Sequence, residues 1–88
     1  MIDTYIYIVS QTTGFSKTKL LSRGRTSQLC DARFCLYLAL YDTTSLSYYE
    51  IGKQLRKDHT TIIHGVNKAK CKLSSDARFA HLYHTIET

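Results

Sequence analysis

The chain has 88 residues, of which 43% are hydrophobic and 22% are charged. This length fits one compact domain over residues 1–88. Twelve Lys and Arg against seven Asp and Glu give a net charge of +5, which suits a polyanionic partner. No apolar run is long enough to cross a bilayer, and the first ten residues contain no basic residue of the kind that opens a signal peptide. We therefore expect a cytoplasmic protein without a membrane partner.

The cysteines and histidines do not form a metal-binding pattern. The chain has three cysteines, Cys30, Cys35 and Cys71, and no two of them have the C-x-x-C spacing. We therefore expect buried free thiols that pack like small apolar side chains. His59 and His64 are five residues apart, whereas zinc on one helix needs ligands four apart. The sequence predicts neither a metal nor a cofactor.

The N-terminal segment has the periodicity of an amphipathic helix. Its apolar residues recur at i, i+3, i+4 and i+7, namely Ile2, Tyr5, Ile6 and Val9. A strand is the alternative, because YIYIV is rich in β-formers. We expect the helix, ending at Gly14, and then a short helix capped by Ser16.

A long helix follows the loop SRGRTS, residues 22–27. Thr26 or Ser27 caps it, and it runs to about Asp42. One side is apolar throughout, and comprises Leu29, Ala32, Cys35, Leu36, Ala39 and Leu40. Another side carries a row at i, i+4 and i+8, formed by Arg33, Tyr37 and Tyr41.

Three more helices are predicted in the C-terminal half. Ser47 and Glu50 form a capping box that opens a short helix to about Leu55. Asp58 caps the next helix, roughly 59–72, and a serine caps a last helix after residue 73. The chain is therefore expected to be all-α, with five or six helices.

The stretch RKDHTTIIHG, residues 56–65, carries the strongest functional signal. A short helix, a tight turn and a second helix have the proportions of a helix-turn-helix, whose second helix enters the major groove of DNA. The residue types suit base recognition. A threonine methyl packs on thymine, a hydroxyl or an imidazole donates or accepts, and an aspartate accepts from cytosine. Arg56 and Lys57 beside the helix N-terminus suit a phosphate.

Other interpretations of these residues remain open at this point. Polar helix starts are common, and simple capping accounts for many of them. A catalytic site needs a nucleophile held by a base or a pair of carboxylates, and neither pattern occurs in the sequence. We do not expect an enzyme.

The run RKDHTTIIHGVNKAK resembles the signature of the C-terminal DNA-binding domain of the bacterial replication initiator DnaA. There, Gly-Arg-Asp-His-Thr-Thr-Val-Leu-His opens the recognition helix. Upstream, LLSRGR is similar to the family's basic loop, DARFCLYLA to its long helix and SYYEIGKQL to the first helix of the motif. The resemblance covers residues 3–73. It implies a Trp-repressor-like all-α domain that binds double-stranded DNA at an AT-rich box.

The resemblance also implies roles for individual residues. Base edges in the major groove would be contacted by Asp58, His59, Thr60 and Thr61. Arg25 would enter the adjacent minor groove, which suits the negative potential of narrow AT-rich grooves. Phosphates would be contacted by Arg33, Ser47, Lys57, His64 and Lys68. The alternatives are a solvated loop arginine for Arg25, stacking on a tyrosine for Arg33 and a place at the rim of the core for His64.

The chain departs from the family in its turn and in its basic loop. The turn is about one residue shorter, with LRKDH where the initiator has a Gly-Gly pair before its arginine. That arginine is Lys57 here, and Gly24 interrupts the basic loop. The initiator's phosphate-binding motif G-x-x-x-x-G-K-[S/T] does not occur.

We therefore expect a box-binding module that acts in replication initiation or its regulation, with other initiation proteins as possible partners. The alternative is a module of the same fold that binds an initiator or replisome protein instead of DNA. It would use a tyrosine-rich surface formed by Tyr37, Tyr41, Tyr48 and Tyr49.

Overall fold

The computed structural model describes residues 2–87. Within this range the regular structure is entirely helical, which confirms the predicted all-α class and the number of helices. The helices are α1 Ile2–Thr13, α2 Lys17–Leu20, α3 Ser27–Thr43, α4 Tyr48–Leu55, α5 His59–Ser75 and α6 Ala77–Glu87. None of them has the length and apolarity needed to span a membrane.

The N-terminal segment is a helix and not a strand. Ile6 and Val9 of the predicted stripe are buried in the core, and Ile2 and Tyr5 pack against its edge. The helix is followed by Gly14 with φ +82°, a left-handed conformation that glycine adopts without strain. The predicted caps are also present. Ser16 Oγ accepts from the Lys19 N–H at 3.2 Å, and Thr26, rather than Ser27, caps α3.

Helix α3 is the centre of the fold, because it contacts each of the other five described helices. The predicted apolar face is buried, but burial extends around the whole helix over residues 35–40. Tyr37 shares a row with Arg33, as their spacing predicts, but its expected place in an accessible tyrosine-rich surface is wrong, because its side chain is only 3% exposed. The reason is Gly65 in α5, where a Cβ would collide with the Tyr37 ring.

The end of α5 differs from the prediction. It continues to Ser75 rather than to about residue 72, and α6 is capped by Asp76 instead of by a serine. One Asp76 carboxylate oxygen accepts from the backbone N–H groups of Arg78 and Phe79, at 3.0 and 3.1 Å. A carboxylate is as good a helix cap as a hydroxyl and adds a favourable charge at the N-terminus, which accounts for the shift.

An ion pair joins the second turn of α3 to the C-terminal part of α5. Lys72 Nζ donates to the Asp31 carboxylate at 2.6 Å, and this bond raises the pKa of Lys72. Cys35 lies nearby in the core, where burial raises the pKa of its thiol to about 12. The expectation of buried thiols holds for Cys35 and only in part for Cys30, which is half-buried, and it is wrong for Cys71, which is exposed on α5.

Candidate nucleic-acid interface

The turn between α4 and α5 is tight because a glycine faces it. Arg56 closes α4 in the left-handed conformation, with φ 57° and ψ 43°. The Lys57 N–H then donates to the Gly52 carbonyl at 2.8 Å. Gly52 is buried, and a Cβ there would lie 2.6 Å from the Lys57 carbonyl oxygen. The absence of a side chain at residue 52 therefore lets the turn fold back on α4.

Helix α4 begins with the predicted capping box. The Glu50 N–H donates to Ser47 Oγ at 3.1 Å, and the Ser47 N–H donates to a Glu50 carboxylate oxygen at 3.1 Å. These two bonds satisfy donors that would otherwise be unpaired at the helix start. They also fix the N-terminal end of α4, from which the Ser47 hydroxyl faces solvent.

Asp58 caps α5 and is held there by Thr60. One oxygen of its carboxylate accepts from the Thr60 N–H at 2.9 Å and also from the Thr60 hydroxyl. The hydroxyl bond is the main reason why the pKa of Asp58 lies below its ordinary 3.8; the backbone bond and the neighbouring His59 act in the same direction. His59 Nδ1 lies 3.3 Å from the same oxygen. The first turn of α5 is thus held by bonds among its own residues.

The two sides of α5 differ sharply in exposure. The residues that turn inward are buried: Ile62, Gly65, Val66 and Ala69. The polar residues at its start and along its outer face are exposed: His59, Thr60, Thr61, His64 and Lys68. The outer face therefore presents hydroxyl, methyl and imidazole groups to solvent in the first turns of a seventeen-residue helix, and the Lys68 ammonium group near its middle.

A second polar element, the basic loop, faces the start of α5. We define the basic loop as residues 21–26, between α2 and α3. Its two arginines, Arg23 and Arg25, are both exposed. Arg33 from α3 donates through Nε to the Leu20 carbonyl at 2.7 Å, and its Nη atoms donate to carbonyls of the loop. Lys57 Nζ donates to the Leu21 carbonyl at 3.1 Å.

The basic loop and the outer side of α5 enclose a cleft of about 700 Å³. Six of the ten residues predicted from the sequence line this cleft, namely Arg25, Arg33, Lys57, Thr60, Thr61 and His64. Asp58 and His59 adjoin it at the first turn of α5. Ser47 and Lys68 lie outside its lining, at the start of α4 and further along α5. The cleft combines several cations with hydroxyl groups, which suits a polyanion with polar edges.

Some residues of the cleft were not predicted from the sequence to contact DNA. Arg23 and Ser22 belong to the basic loop, and Phe34 and Cys30 come from α3. The Phe34 ring meets the His64 ring edge-on, with centroids 6.4 Å apart, so an apolar contact steadies an exposed histidine. The signal for Arg23 was present in the basic composition of the loop, whereas nothing in the local pattern of α3 marked Phe34 for the cleft.

The tyrosines do not form one continuous surface. Tyr37 is in the core, where burial raises the pKa of its hydroxyl. The Tyr41 and Tyr48 rings stack with centroids 4.4 Å apart, and Lys70 Nζ lies 5.5 Å from the Tyr41 ring centre. Tyr49 is 68% exposed. The stack joins α3 to α4, and Tyr37 is not available to a protein partner.

A short helix, a tight turn and a second helix with an exposed polar start define the class of this protein as helix-turn-helix. The comparison with family models agrees, because residues 2–69 match the model of the bacterial dnaA protein helix-turn-helix. The chain belongs to this family.

Proteins similar to this chain are named "Chromosomal replication initiator protein DnaA". The protein of Leptospira biflexa is 31% identical over 85 residues, which cover 97% of this chain and 19% of that protein. Herpetosiphon aurantiacus has a relative that is 39% identical over 71 residues, covering 80% and 15% respectively. A third, from Thermomicrobium roseum, is 35% identical over 75 residues, covering 84% and 16%. The chain thus spans less than a fifth of these relatives' length.

Proposed function

We propose that this protein binds double-stranded DNA sequence-specifically, at an AT-rich site similar to a DnaA box, and does not act as an enzyme. The observation that supports this most is the cleft, in which the exposed threonines of α5 and Arg25 of the basic loop face the same space. A helix-turn-helix places the start of its second helix in the major groove, and the loop beside it then lies over the neighbouring minor groove.

In this proposal the bases are read from two grooves. Thr60 and Thr61 offer methyl groups to thymine and hydroxyls to base edges, while His59 and Asp58 extend the contact along the major groove. Asp58 has one carboxylate oxygen bonded to Thr60, so its other oxygen is the one available to a cytosine amino group. Arg25 enters the adjacent minor groove, where a narrow AT-rich segment concentrates negative potential.

Phosphate contacts come from the rim of the cleft. His64 and Lys68 are exposed on the outer face of α5, and Ser47 offers its hydroxyl at the start of α4. Lys57 and Arg33 were also predicted to contact phosphates, and in the structure both donate to backbone carbonyls of the basic loop. The helix N-terminus itself adds a partial positive charge.

The names of the relatives point to a cellular role. Proteins called chromosomal replication initiators contain the matching region, and we propose that this chain acts in replication initiation or in its regulation, on DNA in the nucleoid of the cytoplasm. A module that occupies initiator boxes competes with the initiator or cooperates with it, so other initiation proteins are its expected partners. The protein-binding alternative has less support because Tyr37, part of its proposed surface, is buried.

Selection from a random duplex library, followed by sequencing of the retained duplexes, tests the proposal. We expect a shared AT-rich motif, and an affinity for it that falls by ~10²–10⁴ between low and physiological salt as phosphate contacts are lost. The double substitution Thr60→Ala and Thr61→Ala should abolish the motif and spare most binding to random DNA. Thr12→Ala with Thr85→Ala is the matched control, because those two threonines are exposed on α1 and α6.

Two results would contradict the proposal. One is a library in which no duplex is retained by the unsubstituted protein at any salt concentration. The other is an equal loss on motif and random DNA when Thr60 and Thr61 are replaced, since base readout predicts that the loss is confined to the motif.

A further inference from the structure

We propose that Arg33 and Lys57 are positioning residues that hold the basic loop in its DNA-binding shape, so that Arg25 is presented to the minor groove without a prior rearrangement. This inference rests on the proposed function. In this inference Arg33 strengthens DNA binding indirectly, by positioning Arg25. The sequence instead predicts a direct contact between Arg33 and a phosphate.

The first support is that the guanidinium of Arg33 donates hydrogen bonds to three backbone carbonyls in and beside the basic loop. Arg33 Nε donates to the Leu20 carbonyl at 2.7 Å, one Nη donates to the Gly24 carbonyl and the other Nη donates to the Ser22 carbonyl. These three acceptors alternate along residues 20–24. Only a planar group with donors on three nitrogens can reach all three at once, and arginine is the one side chain with this geometry.

Lys57 supplies an independent second anchor. It lies in the turn before α5, 36 residues along the chain from Leu21, and its Nζ donates to the Leu21 carbonyl at 3.1 Å. Desolvation lowers the pKa of Lys57, and repulsion by Arg33 and Arg23 lowers it further. The Lys57 amine keeps its bond to the Leu21 carbonyl although two other cations lie near it. This bond links the basic loop directly to the turn that precedes α5.

These bonds leave Arg33 few donors for DNA. Its Nη2 also lies 3.3 Å from Ser22 Oγ and 3.3 Å from the Lys19 carbonyl, so both Nε and Nη2 are occupied. A bidentate phosphate contact uses two neighbouring N–H groups of the fork. For Arg33 to make such a contact, it would have to release at least one of the carbonyls that shape the loop.

The physical consequence is preorganisation. A loop that is free in solution loses backbone freedom when it enters a groove, and this loss weakens binding. A loop that is already fixed has lost that freedom during folding. The binding energy of Arg25 is then realised in full, and we expect that releasing the loop weakens binding by roughly 10- to 100-fold.

A double-mutant cycle on an AT-rich duplex retained in the selection tests the inference. The variants are Arg33→Gln, Arg25→Ala and both together, with Arg78→Gln on α6 as a control for the loss of one exposed charge. We expect Arg33→Gln to weaken binding roughly 10- to 100-fold in the native background and by less than about threefold in the Arg25→Ala background, because coupled residues do not act additively. Equal losses in both backgrounds would overturn the inference and favour a direct phosphate contact, as would an Arg25→Ala variant that binds like the native protein.

A second variant guards against a general loss of folding. Arg33→Lys keeps the charge but cannot bond three carbonyls, so it should bind as weakly as Arg33→Gln and should shift the backbone amide signals of residues 21–25 in DNA-free protein while leaving those of 59–64 in place. Native-like binding by Arg33→Lys would overturn the inference. A protein whose native form retains no duplex would instead contradict the proposed function, and the two failures are thereby distinguished.

Discussion

The start of α5 and the basic loop line the same cleft, but contacts of different reach hold them in place. At the start of α5 the bonds are local. Asp58 accepts from Thr60, two residues further on, and the Lys57 N–H donates to the Gly52 carbonyl in the preceding helix. The basic loop has a local bond from Ser22 Oγ to the Lys19 carbonyl, but side chains distant in sequence hold it as well. Arg33 lies nine residues from Gly24, and Lys57 lies 36 residues from Leu21.

The two halves of this interface therefore depend on different parts of the fold: the start of α5 depends on its own residues, and the basic loop depends also on tertiary packing. The first turn of α5 takes its shape as soon as the helix forms, since its cap is part of the same turn. The basic loop completes its shape only after α3 and the turn have docked on it, since the bonds from Arg33 and Lys57 close longer segments of chain. A change that loosens the tertiary packing should therefore disturb the loop before it disturbs the tip of α5.

Gly52→Ala is expected to have the largest effect on stability. Gly52 packs against Lys57, which belongs to the locally bonded turn and also donates to the basic loop. The new Cβ would lie 2.6 Å from the Lys57 carbonyl oxygen, and a backbone atom cannot rotate away. The turn must shift, at a cost of roughly 2 kcal/mol in the free energy of unfolding. Thermal unfolding followed by circular dichroism should show a melting temperature lower by about 4–8 °C for each kcal/mol.

The matched control is Gly24→Ala in the basic loop. There the added Cβ would meet Leu29 Cδ2 at 2.9 Å, a terminal methyl of a buried side chain, which can shift by a few tenths of an ångström more easily than backbone can. We expect a loss below about 1 kcal/mol. Similar losses for the two variants would contradict the view that the turn is constrained by backbone and the loop by side chains.

Ser47→Ala should have the next largest effect. It removes the hydroxyl that accepts from the Glu50 N–H and leaves half of the capping box at the start of α4. We expect a loss of about 1 kcal/mol in the free energy of unfolding, measured by urea titration. Ser45→Ala, at an exposed position before the helix, is the control and should change stability by less than half as much. A variant that keeps its stability but loses DNA affinity would indicate that Ser47 acts at a phosphate and not as a cap.

The sequence allowed the prediction of those features that depend on neighbours along the chain. The caps at Ser16, Ser47 and Asp58 were all predicted, and so was the division of α5 into a buried and an exposed side. Each of these follows from residues within one or two turns of one another. The cap and the exposed polar face at the start of α5 could therefore be predicted from the residues of α5 alone, without knowing which helices pack against it.

Features that depend on how the helices meet were missed. Tyr37 shares a row with Arg33 on α3, and only the approach of Gly65 decides that its ring is buried. The bonds from Arg33 and Lys57 to the loop depend in the same way on distances that no local pattern encodes. The sequence marked these two residues as cations of the interface, and the structure adds carbonyl partners that the pattern of charges did not suggest.

Arg56→Gly is expected to raise stability slightly, and it tests whether the backbone conformation of Arg56 itself limits the stability of the turn. Arg56 has φ 57°, a left-handed conformation that disfavours side chains with a Cβ. Glycine relieves that strain and loses part of the gain through greater freedom in the unfolded chain, which leaves about 0.5–1 kcal/mol of stabilisation by thermal unfolding. Arg56→Asn should lie between the two, since asparagine tolerates this conformation better than arginine. A destabilised glycine variant would indicate that the Arg56 side chain makes a contact that outweighs its backbone strain.

The smallest expected effect is a change in the titration of Asp58. The Thr60 hydroxyl is the main cause of its low pKa, so Thr60→Val should raise that pKa towards 3.8 while the backbone bond from residue 60 remains. Because the folded-state pKa is depressed, the bond contributes stability above the unfolded pKa, and this contribution is lost as the pH falls through the folded pKa. Titration of the Asp58 carboxyl carbon by NMR, with Thr61→Val as control, measures the shift. A larger response to Thr61→Val would mean that Asp58 is not tied to Thr60 in solution, and the first turn of α5 would then be as dependent on its surroundings as the basic loop.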